Sequence, residues 1–276
     1  MSLYLNGRWH SRPLGAGEAL PFGFRFGLGT FTTLGVRDGH PLFLALHLER
    51  LKAGAKLLNL CMPPIADLRR LIFEGIRRGR PNAGVVKIII ASAAENSENA
   101  AGSARVAVLV MPRRPVPEAV DLLLSPFVPT RWHAHKLTAC MDSSIQAGRA
   151  KTAGCFDALT VASGELLDTS MANFFLVDRA SISTPPAEGR ILPGIARRQL
   201  LSAGEPGIIE RRLDLRDLRG AVRLFLTNSV RGVIPVRRLA GPGGRVIWQV
   251  SGRPSAPETV LRAWERQMQR DLHHDL

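Results

Sequence analysis

Lysine is scarce in this chain. It occurs five times, against one tyrosine and three cysteines in 276 residues. No apolar run approaches the ~18 residues that a membrane-spanning helix needs. The first ten residues, "MSLYLNGRWH", lack the basic start and apolar centre of a secretory leader. Cys61, Cys140 and Cys155 lie far apart with no metal-ligand spacing, which excludes a zinc module and a disulfide framework and fits a reducing compartment. No GxGxxG or GxxxxGK[ST] pattern is present, so neither dinucleotide nor P-loop binding has sequence support. The expectation is a soluble, cytoplasmic protein without a metal.

What is abundant is arginine. Of 37 basic residues only Lys52, Lys56, Lys87, Lys136 and Lys151 are lysines, and the net charge is +14. Such a charge invites a nucleic-acid partner. The arginines are scattered from Arg8 to Arg270 without a basic tract or interleaved aromatics to stack on bases, so we expect no nucleic-acid partner, and small anions instead. Hydrophobic residues make up 45%, and the length suffices for one large or two ordinary cores.

Along the chain, "LYLNGRW" reads as a strand, and "FTTLGVRDGHPLFL" reads as a hairpin closed by Asp38-Gly39. In "ALHLERLKAGAKLLNL", Leu44, Leu48, Leu51, Ala55 and Leu58 recur at steps of four and three, the period of an amphipathic helix. "IADLRRLIFEGIRRG" is a second helix. The β-branched runs "GVVKIIIAS" and "ARVAVLVMP" suit buried strands. Three prolines in "MPRRPVPEAV" mark a linker. This divides the chain into an N-terminal α/β domain (1–114), a linker (115–122) and a C-terminal α/β domain (123–276). In the second domain "LTACMDSSIQAGRAKTAG" reads as a helix, with strands at "VDLLLSPFV", "FDALTVA", "NFFLVD", "VRLFLT" and "GVIPVRRL", and a closing helix at "PETVLRAWERQMQRDL".

Five places could carry chemistry. Lys136, in "AHKLTAC", has small and apolar flanks, and a desolvated lysine acts as nucleophile or base. Asp168 ends a strand in "GELLDTSMANFF", five residues before Asn173. Pro193 and Gly194 open a helix at Ile195, whose first N–H groups and dipole suit an anion. Thr227, Asn228 and Ser229 follow the strand "VRLFLT". Arg50 lies off the Leu48/Leu51 line of its helix. Taken singly, each is equally a solvated lysine, a turn or a strand cap.

Together, these residues resemble the class IV aminotransferase family, pyridoxal-phosphate enzymes that include branched-chain and D-amino-acid aminotransferases and 4-amino-4-deoxychorismate lyase. The resemblance runs through "FGFRFGLGTFTTLGVRDGHPLFLALHLERL", the lysine of "HK", "FDALTVASGELLDTSMANFF", "ILPGIARR" and "FLTNSVRGVIPV", with 32 residues from Lys136 to Asp168 and 59 to Ile195. It implies a two-domain mixed α/β (α+β) fold of the D-amino-acid aminotransferase type, a homodimer, and pyridoxal 5'-phosphate as cofactor. Lys136 matches the lysine that forms the Schiff base. Asp168 matches the acid that keeps the pyridine nitrogen protonated. Arg50, Ile195, Ala196, Asn228 and Ser229 match positions around the phosphate; Gly194 is expected to leave room for it, and Asn173 completes the cofactor set.

The sequence departs from the family in several places. Aspartate replaces the usual glutamate at 168, which shortens the reach by roughly 1.5 Å. Ala196 replaces a common threonine, Asp157 stands where glutamate is usual, and "IIIASAAENS" lacks an arginine that many relatives use for the substrate carboxylate. "FGLGTFTT" and "TNSV" are closer to the lyases, whose reaction releases pyruvate and 4-aminobenzoate, a folate precursor. The substrate set expected on this basis is Thr32, Arg131, His133 and Arg231. The alternatives are an aminotransferase for D-amino or branched-chain amino acids, and a non-catalytic relative.

Overall fold

The computed structural model describes residues 2–5, 7–10, 27–79, 83–93 and 104–274. The expected features at Asn6, at 22–26 and at 94–97 therefore lie outside the described residues. The chain divides into two compact units, Met1–Arg114 with His135–Cys140, and Pro115–Ala134 with Met141–Leu276. Two differences from the sequence division follow. Lys136 belongs to the first unit, not the C-terminal one. The linker is also shorter, because Val120 and Leu122 are apolar enough to be buried as the start of a strand.

The first unit is an antiparallel sheet of β1 (Ser2–Leu5), β2 (Arg8–His10), β3 (Gly29–Arg37), β4 (His40–Pro41), β5 (Ala83–Ser92) and β6 (Ala104–Pro112), in the order β2-β1-β6-β5-β3-β4. "LYLNGRW" is a hairpin rather than one strand: Gly7 takes φ +83° and Leu3 pairs with His10. Asp38 and Gly39 have φ +50° and +79°, both positive as a two-residue hairpin turn requires. Helices α1 (Leu44–Leu57) and α2 (Ile65–Gly79) cover the sheet. Leu44, Leu48, Leu51 and Ala55 of α1 and Leu68, Ile72 and Ile76 of α2 join Leu34, Val86, Ile88 and Val108 in one core. Each fully buried leucine or isoleucine there contributes roughly 1.5–3 kcal/mol.

The second unit is a mixed sheet whose ten strands come from β7 (Val120–Pro126), β8 (Asp157–Ala162), β9 (Glu165–Thr169), β10 (Asn173–Val177), β11 (Ile182–Thr184), β12 (Ile208–Glu210), β13 (Leu213–Asp214), β14 (Arg223–Asn228), β15 (Gly232–Ala240) and β16 (Val246–Gln249). All five residues of β10 are buried, and after Asn173 the run Phe174–Val177 has the continuous apolar pattern of a strand covered on both faces. Phe175 stacks on Phe225, its register partner on β14, at 4.8 Å. The helices are α3 (Met141–Thr152), α4 (Ile195–Leu201) and α5 (Glu258–His274). Helix α3 starts four residues later than its sequence pattern suggests, because Leu137 and Thr138 are engaged elsewhere. Among the described residues no helix is long and apolar enough to cross a membrane.

Candidate active site

In the first unit the segment around Lys136 lies along β3. The Phe31 N–H donates to the Lys136 carbonyl at 2.9 Å, and the Thr138 N–H donates to the Gly29 carbonyl at 2.8 Å. Thr30 adds its hydroxyl to the same Lys136 carbonyl at 3.0 Å. Lys136 is thus fixed at its backbone from two sides. Its Nζ lies 5.1 Å from the Phe31 ring centre, and the Lys87 Nζ from β5 lies 4.6 Å from the same ring. Two lysine side chains thus approach one aromatic ring, whose quadrupole attracts a cation. Lys87 is silent in the sequence, since a single lysine in a β-branched run gives no signal without the register that aligns it with Thr33.

Thr32 and His47 are fully buried. An Arg50 Nη2–H donates to the Thr32 Oγ1 at 2.5 Å, and that oxygen lies 2.6 Å from His47 Nδ1. Arg50 Nη2 also approaches His47 Nδ1 at 3.3 Å. Thr32, expected to face substrate, is instead bonded to these two side chains. Burial, and after it the charge of Arg50, holds His47 well below the ordinary imidazole range, so it is neutral. Burial also brings Arg50 down to about 10, which leaves it charged at neutral pH. Among the described residues Arg50 has no carboxylate partner, and its Nε is buried without a hydrogen bond. A desolvated cation with a spare donor suits an anionic ligand.

In the second unit the Leu192 peptide is gripped from both sides. Its N–H donates to Asp168 Oδ2 at 3.1 Å, and its carbonyl accepts from Asn173 Nδ2 at 2.8 Å. The room beside Gly194 is taken by Asn173, not left for an anion: a Cβ there would sit 1.8 Å from Asn173 Oδ1. Gly194 caps α4 in extended conformation with no side-chain hydrogen bond. The buried Asp157 carboxylate accepts from Ser170 Oγ at 2.5 Å, from the Ala158 N–H at 2.8 Å and from the Met171 N–H at 3.3 Å. Burial nevertheless pushes its pKa up.

Asn228 is engaged in its own turn. Its Oδ1 takes the N–H groups of Val230 and Arg231 at 3.1 and 2.8 Å, and its Nδ2 reaches the Met171 carbonyl at 3.4 Å. Ser229 and Ala196 are buried. The Thr227 hydroxyl, in register with Asn173, is buried without a partner. Arg231 lies over the Phe156 ring at 5.5 Å. Arg131 is exposed on a 3-10 turn, and His133 tilts against Phe127 at 5.5 Å.

The first unit thus holds a lysine laid along a strand and a buried arginine lacking an acid among the described residues, and the second holds a carboxylate bonded to the loop before a helix. The chain belongs to the family Amino-transferase class IV, which it matches over residues 29–239. It is similar to the aminodeoxychorismate lyase of Bacillus subtilis, 26% identical over 86% of each protein. It is also similar to a Methanocaldococcus jannaschii protein provisionally named a branched-chain-amino-acid aminotransferase, 24% identical over 87% of this chain and 88% of that one. The fold is that of the branched-chain aminotransferase of Thermoproteus uzoniensis, at TM-score 0.82 and 23% identity, covering 99% of this chain and 95% of the other. The protein is therefore a class IV enzyme, and the cofactor of that family is pyridoxal 5'-phosphate. Within the first unit, the orphaned Arg50 Nε fits a group bearing a phosphate.

Proposed function

We propose that this enzyme is a 4-amino-4-deoxychorismate lyase, which releases pyruvate and 4-aminobenzoate and serves folate synthesis. The observation that carries the proposal is the pair Lys136 and Lys87 at the Phe31 ring. Aminodeoxychorismate bears two carboxylates that need cationic or N–H partners. Lys87 supplies a second cation beside the reacting lysine, where the sequence had pointed only to a missing arginine. Arg231, Arg131 and His133 are further candidates for the carboxylates.

In this proposal Arg50, with Ile195, Ala196, Asn228 and Ser229, anchors the cofactor's phosphate. Asp168 keeps the ring nitrogen protonated, held in place by Leu192 while Asn173 holds the other side of that peptide. The bound cofactor supplies an electron sink for the pair left behind when a C–H bond breaks. Lys136 would hold the cofactor, and its amine, when free, would take the ring proton from the amine-bearing carbon. The electron pair of that C–H bond would become the last double bond of the ring as the neighbouring C–O bond breaks; the oxygen would leave with its bond pair as enolpyruvate, which gains a proton to become pyruvate. No acidic residue of β3 enters this sequence, and no keto acid is needed as a second substrate.

The test is incubation with enzymatically made aminodeoxychorismate, following 4-aminobenzoate and pyruvate. Parallel incubations with D-alanine, L-leucine and L-glutamate follow loss of the absorbance of the lysine-bound cofactor. Conversion with an amino acid and no aminobenzoate establishes the second reading, an aminotransferase for D- or branched-chain amino acids, which the M. jannaschii relative supports. Borohydride reduction and peptide mapping should label Lys136; a label on another lysine removes the assignment.

We also propose a cytoplasmic homodimer. Val128, Trp132, Met141 and Ile145 of the second unit are exposed large apolar side chains, which a partner copy would cover. Sedimentation as a ~30 kDa species alone, the monomer mass, overturns it.

A further inference from the structure

We propose that Thr32 and His47 are positioning residues that hold Arg50 on the cofactor's phosphate, so that the threonine of β3 governs cofactor affinity rather than substrate choice. This rests on Arg50 as the phosphate anchor, assigned above.

The hydrogen-bond directions leave one arrangement. A guanidinium only donates. The Thr32 oxygen accepts from Arg50 Nη2 and keeps one hydrogen to give. His47 Nδ1, 2.6 Å away, is the acceptor for it. Nδ1 must then carry a lone pair, so the ring proton sits on Nε2. A protonated His47 would reverse the Thr32 contact, strand its hydroxyl hydrogen and set two cations 3.3 Å apart. Neutral imidazole, hydroxyl and guanidinium therefore lock each other in one orientation, from three positions on β3 and α1.

The lock acts on the part of Arg50 that matters. It occupies Nη2 and leaves Nε, buried and without a hydrogen bond, as a directed donor. A flexible arginine loses rotamer freedom on gripping an anion; here that loss is taken on folding. No carboxylate competes for the charge among the described residues. His47 Nε2 is also buried without a partner, an unsatisfied group retained at a place where a plain apolar side chain would fill the core without that cost. That cost points to a role beyond packing.

The experiment compares pyridoxal 5'-phosphate with pyridoxal, which lacks the phosphate, in equilibrium dialysis against the full-length apo-enzyme. Thr32→Val keeps the shape of the side chain and removes the hydroxyl. It should weaken the phosphate ester by about 10- to 100-fold, the loss of one hydrogen bond to a charged group, and leave pyridoxal unchanged. Thr32→Ser should restore the wild-type value. His47→Asn, whose Oδ1 stands where Nδ1 does, should bind the ester more tightly than His47→Gln, whose oxygen lies one bond further out; this pair carries the test if Thr32→Val does not fold.

An unchanged affinity in Thr32→Val, or an equal loss for the ester and for pyridoxal, overturns the proposal. Arg50→Met separates the two levels. If it binds the ester as the wild type does, the anchor assignment itself fails; if it loses affinity while Thr32→Val does not, only the positioning role fails. Neither result depends on whether 4-aminobenzoate is made.

Discussion

At Gly54 helix α1 packs against Thr30 of β3 with no room for a Cβ, and Gly54→Ala tests that contact. In an exposed helix interior this change stabilises by roughly 0.5–1 kcal/mol, because glycine loses more backbone freedom on folding. Here a Cβ would lie 2.2 Å from Thr30 Oγ1, 2.8 Å from Thr30 Cβ and 3.2 Å from Thr30 Cγ2. Atoms at rest sit about 3.5 Å apart, so the helix or the strand must yield by about an ångström. Overpacking of that kind costs roughly 1–3 kcal/mol. If Thr30 rotates away instead, it drops its bond to the Lys136 carbonyl, a further loss of about 0.5–1.5 kcal/mol. The net expectation is destabilisation of about 1–3 kcal/mol in urea unfolding of the apo-enzyme, with looser retention of the cofactor. Thr30→Ala removes the shortest contact, so the double variant should be less destabilised than the sum of the two single ones. A Gly54→Ala enzyme as stable as the wild type, or more so, refutes the close packing on which this reasoning rests.

Gly194→Ala should displace the Asn173 amide from the Leu192 carbonyl and weaken cofactor retention with little change in helix content, read by dialysis and circular dichroism. Asp157 has a folded pKa raised by burial, so its contribution to stability is present below about 3.9 and is lost as pH rises through the folded value. The stability of Asp157→Asn relative to wild type should accordingly be more favourable at pH 7 than at pH 4; the opposite sign in paired denaturation curves refutes this. His47 is shifted the other way, so the unfolded chain binds its proton first and stability falls as pH drops below about 6.5, by at most ~1.4 kcal/mol per pH unit. The His47→Asn variant should show a shallower fall between pH 6.5 and 5.

The leucine repeat of α1, the Asp38-Gly39 hairpin and the apolar run Phe174–Val177 of β10 were legible because each is a local pattern with a fixed period or a fixed backbone demand. The placement of Lys136 was not. Its carbonyl is held by Thr30 and Phe31, more than a hundred residues earlier, and no spacing rule reaches that far. The partners of Thr32 were hidden for a related reason. A hydroxyl in a strand announces a donor, but its partners on α1 are set by helix packing rather than by the strand. Gly194 is the converse: the sequence marked a place where something comes close, and the group that comes close in the structure is the Asn173 amide. The short strands β11, β12 and β13 carry too few residues for any alternation to register.

The lysine segment also imposes an order on synthesis. Residues 135–140 are part of the first unit, yet they are made only after 115–134, which belong to the second. A ribosome therefore exposes a nearly finished sheet whose β3 lacks its last partner until some two dozen residues more have emerged. Long-range closure of this kind slows folding, and an open strand invites mispairing in the interval. Cutting the chain after Arg114 would separate Lys136 from the strand that holds it, so the two units cannot be expressed as simple halves. Transplanting His135–Cys140 to the end of an N-terminal fragment, through a flexible link, would rejoin the lysine to β3.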